Sequence, residues 1–141
     1  MGTHFGAIGC VMRIKGERWE FHIGNTIVIV ENAWRWSGYS QERVRVNDEV
    51  HFDRQGWFWM VANATTVAEF ATLEDRYRVV MGVKYILTGQ HLYCRVVSEN
   101  EVIEPTAFLK GKWDKADYLW PPDPDPFDLN NDAQVWREVK R

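Results

Sequence analysis

Histidine, cysteine and carboxylate side chains are the groups in this sequence from which catalysis or metal binding could be built. His22 with Glu20, and His51 with Asp53, combine imidazole and carboxylate, which are ligand types that zinc accepts. Their spacing matches no compact zinc motif, and the alternation around His22 puts its side chain on the solvent side of a predicted strand. We therefore expect no metal and no other cofactor.

The two cysteines, Cys10 and Cys94, are the candidate nucleophiles. A reactive thiolate needs a neighbouring base and an electropositive setting. Cys94 instead lies near the start of a predicted strand, at a position expected to be buried, where a cysteine packs as a small apolar residue. Two cysteines so far apart, in a chain without a predicted secretion signal, are expected to stay reduced. These observations favour a cytoplasmic protein that is not an enzyme.

Acidic residues near the C-terminus are spaced like the oxygen ligands of a calcium loop. They are Asp123, Asp125, Asp128 and Asp132. Prolines lie between the first of them, and the glycine that the sharp turn of an EF-hand requires is missing. We expect a solvated acidic arm rather than a calcium site.

Aromatic side chains around the Ser37-Gly38 turn are the best candidates for binding. If exposed, Trp34, Trp36 and Tyr39 would form a platform for a peptide or a sugar, because Trp and Tyr dominate contact hot spots. If buried, they would close one end of the domain, and a small domain with 8 Trp must place several in its core. The aromatic residues near the C-terminus could likewise pack either on the sheet of their own chain or on another subunit. The predicted interaction surface consists of Trp34, Arg35, Trp36, Tyr39, Trp120, Phe127 and Trp136.

Length and composition indicate one globular domain. The 141 residues carry a net charge of -3 and are 45% apolar, which is ordinary for a compact fold. The mildly acidic balance gives no reason to expect nucleic acid as a partner, and no apolar run approaches a membrane span. The 8 Trp, 5 Tyr and 7 Phe favour β-structure, because aromatic side chains suit half-buried pleated surfaces.

Strands must position these side chains. Residues 18–23 alternate, with Trp19, Phe21 and Ile23 on one side, and Gly24-Asn25 then predicts a two-residue hairpin turn into residues 26–31. Further strands are predicted at residues 42–46, 49–52, 57–61, 77–81, 83–88, 92–98 and 101–104. Residues 65–75 fit either a short helix or a strand, and their flanks favour a strand.

The sequence therefore predicts an all-β antiparallel sandwich, built from hairpins, at residues 12–110. An N-terminal extension, residues 1–11, precedes it. A Pro/Asp-rich arm, residues 111–141, follows it and is predicted to end in a short helix at residues 133–140.

Residues 19–105 resemble the β-sandwich of the Fas apoptotic inhibitory molecule (FAIM) family. The resemblance is carried, in order, by Trp19-Glu20-Phe21, Ile29-Val30-Glu31, Ser37-Gly38, Arg43-Val44-Arg45-Val46 and Trp57-Phe58, and by the spacing from there to Val80. One departure is Asn47-Asp48, where the family favours a glycine. Residues 1–11 and 110–141 have no counterpart in the family.

The resemblance implies a compact antiparallel sandwich that acts through protein contacts and has no catalytic centre. We expect a protein-interaction module whose partner is another protein, with a C-terminal arm that either clamps its own sandwich or joins two copies as a homodimer. Two alternatives stay open. One is a ligand-binding β-domain with a stacking surface for carbohydrate or another small molecule, and the other is an inhibitor or immunity-type protein that blocks an enzyme.

Overall fold

The computed structural model describes residues 13–35, 39–57, 65–86, 89–114, 120–121, 123 and 135–140, with residues 39, 56–57, 65–66, 83–86 and 89–90 described by their backbone alone. The described residues form strands β1 (Arg13–Ile23), β2 (Thr26–Trp34), β3 (Tyr39–Val46), β4 (Glu49–Trp57), β5 (Thr65–Ala71), β6 (Arg76–Ile86), β7 (Gly89–Val97), β8 (Val102–Ile103), β9 (Ala107–Asp114) and β10 (Arg137–Glu138). They contain no helix. The all-β prediction is confirmed.

The strands form two antiparallel sheets. The six-stranded sheet has the order β10-β9-β1-β2-β3-β4, and the four-stranded sheet has the order β5-β6-β7-β8. In the six-stranded sheet, β9 pairs with β1 although about ninety residues separate them in the chain. The four-stranded sheet is a meander in which each strand pairs with the next along the chain.

One hydrophobic core lies between the two sheets. Trp19 and Phe21 of β1, on the predicted apolar side, are fully buried in it. Their partners from the four-stranded sheet include Met81 of β6 and Val96 of β7, which are also fully buried. Alternation along each strand therefore directs one set of side chains into this core.

Two tight turns set the register of the first four strands. Gly24 has a φ of 61°, which glycine adopts without strain, and it connects β1 to β2 as predicted. Asn47 and Asp48, with φ of 49° and 67°, connect β3 to β4. Asn and Asp tolerate this left-handed conformation better than most residues, so the turn forms without the glycine that the FAIM family favours.

The structure confirms one element and corrects two. Residues 65–71 form strand β5, as their flanks indicated. The predicted break at Gly82 is wrong, because β6 runs through it without interruption. A Cβ atom at position 82 would lie only 2.5 Å from the hydroxyl oxygen of Tyr93, so glycine here permits a close approach by the ring. Strand β4 likewise continues to Trp57 across the predicted gap after Phe52, and residues 58–61 of the predicted strand lie outside the described residues.

The predicted C-terminal helix is wrong over the described residues 135–140. Arg137 and Glu138 form β10, which pairs with Lys110 and Leu109 of β9, and the Val139 amide donates to the Phe108 carbonyl at 2.8 Å. A short isolated helix is marginal in water, whereas the edge of β9 offers unpaired backbone groups to an extended segment. Strand β9 itself continues to Asp114, past residue 111, where the arm is predicted to begin.

Candidate functional site

The site lies on the face of the six-stranded sheet that points away from the hydrophobic core, which we call the outer face. Because side chains alternate, Arg18 of β1 is on this face while its neighbour Trp19 is in the core. Register then places Glu31 of β2 beside Arg18, and Arg43 of β3 beside Glu31. Arg18 and Glu31 are buried although both are charged.

A flat patch of backbone on this face receives two indole rings. Gly16 of β1 lies directly opposite Gly111 of β9. A Cβ atom at Gly16 would be 2.6 Å from the Trp113 ring, and one at Gly111 would be 3.1 Å from the Trp136 ring. Glycine at position 16 therefore lets Trp113 lie this close to the sheet, and glycine at position 111 leaves room for Trp136 without a tight contact.

Trp113, Trp120 and Trp136 form one group, which we call the tryptophan cluster. The ring centroids of Trp113 lie 5.5 Å from those of Trp136 and 6.4 Å from those of Trp120, both in tilted arrangements. Such tilted pairs favour the contact of a ring edge with a ring face. Trp136 is 3% exposed, and Trp120 is half-buried. The cluster therefore attaches two positions of the C-terminal arm to the chain's own sheet.

Three guanidinium groups surround the buried carboxylate of Glu31. Arg43 Nη2 lies 2.7 Å from Glu31 Oε1, Arg45 Nη2 lies 3.2 Å from the same oxygen, and Arg18 Nη1 lies 3.5 Å from Oε2. We call Arg18, Arg43 and Arg45 the arginine cluster. Glu20 adds a second carboxylate, whose Oε2 accepts from Arg18 Nε at 2.9 Å. Two carboxylates still do not balance three cations, so the cluster attracts a further anion.

Asp123 of the arm supplies that anion. Arg45 donates to both of its carboxylate oxygens, at 3.0 and 2.8 Å, and Arg18 donates to Oδ1 at 2.8 Å. The two-pronged contact is the strongest geometry for an arginine and a carboxylate. Asp123 was expected in a solvated acidic arm, but its side chain is 47% exposed and fixed on the sheet. Asp125, Asp128 and Asp132 lie outside the described residues.

These contacts shift the ionisation of both partners. The hydrogen bonds from Arg45 and Arg18 outweigh partial burial and hold the pKa of Asp123 well below its usual range. Burial alone would lower the pKa of Arg45, but its hydrogen bond to Asp123 and the charge of Glu31 outweigh burial, and its pKa lies above the ordinary value. Both groups are therefore charged at neutral pH.

The arginine and tryptophan clusters are in contact. The Arg43 guanidinium lies 4.8 Å from the centroid of the Trp120 ring, and the Arg18 guanidinium lies 5.9 Å from that of Trp136. Stacking of a guanidinium on an indole is favourable and leaves the edge of the guanidinium able to donate to a carboxylate. The outer face thus binds an aromatic ring and a carboxylate side by side.

The structure brings together only part of the predicted interaction surface. Trp120 and Trp136 meet on the outer face, whereas alternation along β2 places the half-buried Trp34 on the opposite face of the sheet. Arg35 follows Trp34 and is half-buried. Trp36, Phe127 and the side chain of Tyr39 lie outside the described residues. The predicted platform around Ser37-Gly38 therefore stays a prediction.

The catalytic and metal candidates have ordinary surroundings. Burial raises the pKa of the Cys94 thiol, which is 2% exposed, as its predicted packing role requires. Cys10 lies outside the described residues. His22 and His51 are exposed on β1 and β4. Among the residues that the structure describes, no group of three or more His, Cys, Asp and Glu could hold a metal ion.

A scan against protein-family models and searches of curated proteins and of solved structures found no match to this chain. Within the described ranges, the chain forms no helix that is long and apolar enough to cross a membrane.

Sequence reasoning missed the arginine cluster, although a signal for one of its ion pairs was present. The turn at Gly24-Asn25 pairs Ile23 with Thr26, and counting back along the hairpin pairs Arg18 with Glu31. Opposite charges on directly paired residues indicate an ion pair. The contribution of Asp123 had no such local signal. Asp123 follows β9, and β9 lies beside β1 through pairing between strands that are far apart in the sequence.

Proposed function

We propose that this protein is a non-enzymatic protein-interaction module that binds an extended segment on the outer face of its six-stranded sheet. The segment carries an aromatic residue followed three positions later by a carboxylate. The observation that carries the proposal is the arm itself, in which Trp120 stacks on Arg43 and Asp123 is held by Arg18 and Arg45. The arm shows which chemistry this face accepts.

The sequence of the arm supports the proposal. Pro121 and Pro122 separate Trp120 from Asp123, and prolines favour the polyproline II conformation. That helix has about three residues per turn, so residues three apart project from the same side. Recognition of proline-rich segments by aromatic and arginine side chains is a recurring mode of peptide binding.

The resemblance to the FAIM family agrees with a binding role. We propose the same sandwich arrangement for the two sheets, with the core between them as its interior. A buried thiol at Cys94 with a raised pKa is consistent with a structural rather than a catalytic cysteine, and its unpaired state is consistent with a cytoplasmic protein. An inhibitor or immunity-type role would use the same surface.

Another protein is the proposed partner, and a second copy of this chain is one source of the segment. In a single copy the arm occupies its own sheet, so an incoming segment competes with a tethered one. Tethering raises the local concentration of the arm to roughly millimolar values, which keeps the site filled in the absence of a stronger partner. Exchange of arms between two copies would give a homodimer with the same contacts.

A peptide competition experiment tests the proposal. A fluorescent peptide with the sequence of residues 118–126 is titrated into the full-length Asp123→Ala variant, in which the arm no longer fills the arginine cluster. We expect the peptide to bind this variant more tightly than the unmodified protein, as measured by fluorescence anisotropy. A peptide with Asn in place of Asp123 should bind at least about tenfold more weakly, because a charged hydrogen bond is lost.

Two variants of the receptor locate the binding. Arg45→Lys, made together with Asp123→Ala, keeps the charge but loses the two-pronged contact, and we expect weaker peptide binding. Arg13→Lys is the matched control, because Arg13 lies on the same sheet and forms an exposed ion pair with Asp114 at 3.7 Å, away from the arginine cluster. The proposal is wrong if the peptide does not bind a folded Asp123→Ala variant, or if both arginine variants behave alike.

A further inference from the structure

A cleft lies on the other side of the molecule, where the edges of the two sheets face each other. It has a volume of about 380 Å³, and it opens between β7 of one sheet and β9 of the other, next to Val139, which follows β10. Pockets that hold small molecules in proteins span roughly 300–1,000 Å³, so the cleft is at the small end of that range. It shares none of the residues of the arginine or tryptophan clusters.

The walls of the cleft combine apolar side chains with polar ones, which are His91, Arg95, Glu104 and Lys110. Leu92, Tyr93, Pro105 and Val139 line it and are each half-buried, so part of each side chain is available to a ligand. Beneath them lies Phe108, which is 6% exposed. An apolar molecule in the cleft would remove this partly exposed surface from water, which is favourable in proportion to the area covered.

The unpaired edge of β7 adds backbone groups to the cleft. Strand β8 pairs with β7 only at Val96 and Val97. The Ser98 amide donates to the Glu101 carbonyl, so the backbone groups of Ser98 face the β8 side of β7. Backbone N–H and C=O groups of every second residue point to the same side of a strand. Those of Val96, Cys94 and Leu92 therefore face the β8 side as well. Beyond Val96 no described strand pairs with this edge. A polar group of a ligand can therefore bond to the backbone there.

The ammonium group of Lys110, at the cleft, forms no ion pair with a carboxylate among the residues that the structure describes. The Lys110 side chain is exposed, its Nζ lies 5.9 Å from the centroid of the Phe108 ring, and no described carboxylate oxygen lies within 4.0 Å of it. The guanidinium of Arg95, which also lines the cleft, is paired with Glu104 at 3.1 Å. In the β1–β9 ladder the residue opposite Lys110 is Glu17, which is half-buried. Lys110 is thus the cation that an acidic ligand would meet.

We propose that this cleft binds a small amphipathic monoanion, with an apolar body against Leu92 and Val139 and a carboxylate beside Lys110. Small-molecule sites usually combine an apolar contact surface with a few polar groups that fix the orientation of the ligand. This ligand class differs from the segment bound on the outer face, and the two sites lie on different parts of the six-stranded sheet. The inference does not depend on the proposed interaction function.

Titration of the full-length protein with sodium decanoate tests this site. We expect saturable binding by isothermal titration calorimetry below the concentration at which decanoate forms micelles. Neutral 1-decanol and the decyltrimethylammonium cation have the same chain length with no charge or the opposite charge. Both should bind at least about tenfold more weakly if a carboxylate meets an ammonium group. Equal affinity for all three would overturn the proposal.

A pair of lysine variants locates the carboxylate. Lys110→Glu reverses the charge at the cleft and should weaken decanoate binding about tenfold or more, because attraction becomes repulsion. Lys112→Glu is the matched control, since Lys112 is also exposed and lies on the same face of β9 but does not line the cleft. We expect it to change affinity less than about twofold.

Amide chemical shifts show where the chain of the ligand lies. On addition of decanoate, the amide resonances of Leu92 and Cys94 should move in the unmodified protein and in Lys112→Glu. Shifts confined to other parts of the protein, or equal loss of affinity in both lysine variants, would contradict the assignment. Absence of binding while circular dichroism shows a folded protein would do the same.

Discussion

The two faces of the six-stranded sheet are both covered, but by different chemistry. The inner face buries Phe21, Val30 and Val44 against the other sheet. On the outer face the same strands bury Arg18, Glu31 and Arg45. Apolar contacts are non-directional and tolerate many partners, whereas buried ions need partners with the correct charge and geometry.

The difference between the two faces bears separately on the stability of the fold and on the proposed selectivity for a bound segment. Burial of an ion pair contributes little net stability relative to a well-packed apolar cluster, although removal of one partner is costly. The inner face therefore holds the two sheets together. In the proposed function the outer face would discriminate between segments, because a carboxylate beside Arg45 and Arg18 adds negative charge to a site rich in guanidinium groups.

The largest expected effect is on the inner face. Phe21→Ala removes a fully buried ring from the core, and we expect a loss of about 4 kcal/mol in the free energy of unfolding. The loss should be the same at low and high salt, because the contacts are apolar. Urea denaturation at two salt concentrations measures it. A strong salt dependence would show that this face also depends on charge.

The next effect concerns the buried carboxylate of the outer face. Glu31→Gln leaves the three surrounding arginines without their central charge, and we expect a loss of about 3 kcal/mol, measured by urea denaturation. The matched control is Glu104→Gln, because Glu104 pairs with Arg95 at the surface, with side-chain exposures of 64% and 47%. It should cost less than about 1 kcal/mol. Equal losses would remove the distinction between buried and exposed ion pairs.

The third effect tests the close approach of the tryptophan cluster. A Cβ atom in Gly16→Ala would lie 2.6 Å from the Trp113 ring, so the indoles must move away from the sheet. We expect a loss of about 2 kcal/mol from this overpacking, together with a changed near-ultraviolet circular dichroism signal from the tryptophans. Lys15→Ala, at the adjacent exposed position, is the control and should change stability by less than about 0.5 kcal/mol. An unchanged tryptophan signal in Gly16→Ala would contradict the described packing.

Local patterns predicted the inner face better than the outer face. Alternation placed Trp19 and Phe21 in the core, and the turn at Gly24-Asn25 set the β1–β2 register. Arg18 lies four residues before His22, so alternation predicts the same solvent side for both, yet Arg18 is buried. Alternation distinguishes two faces but does not say what covers the second one. That cover depends on Trp136, whose position follows from pairing between distant strands.

The C-terminal prediction failed for a related physical reason. The spacing of Val135, Trp136 and Val139 puts them on one side of a helix, and this spacing predicts the helix at residues 133–140. In the structure Trp136 packs over Gly111 and Gly16, and β10 completes the edge of β9. A short segment takes the conformation that its neighbours offer, and the sequence near residue 136 does not contain those neighbours.

The smallest expected effect separates the charge of the arm from its apolar contacts. Asp123→Asn keeps the shape of the side chain but removes the charge that Arg45 and Arg18 bind. Hydrogen bonds to charged groups contribute up to about 3 kcal/mol, and partial exposure of Asp123 reduces this by solvent screening, so we expect a loss of about 1 kcal/mol at neutral pH. Parallel urea titrations of variant and unmodified protein measure it.

The pH dependence of that loss identifies its cause. The pKa of Asp123 in the folded protein lies below its value in the unfolded chain, which is about 3.9. Its contribution is therefore fully present above about pH 5 and is lost as the pH falls through 3.9 toward the folded value. The stability difference between the unmodified protein and Asp123→Asn should shrink in acid and at high salt, whereas the difference for Phe21→Ala should respond to neither. A difference for Asp123→Asn that is constant with pH would mean that shape, rather than charge, holds the arm on the outer face, and selectivity for a carboxylate would then have no physical basis.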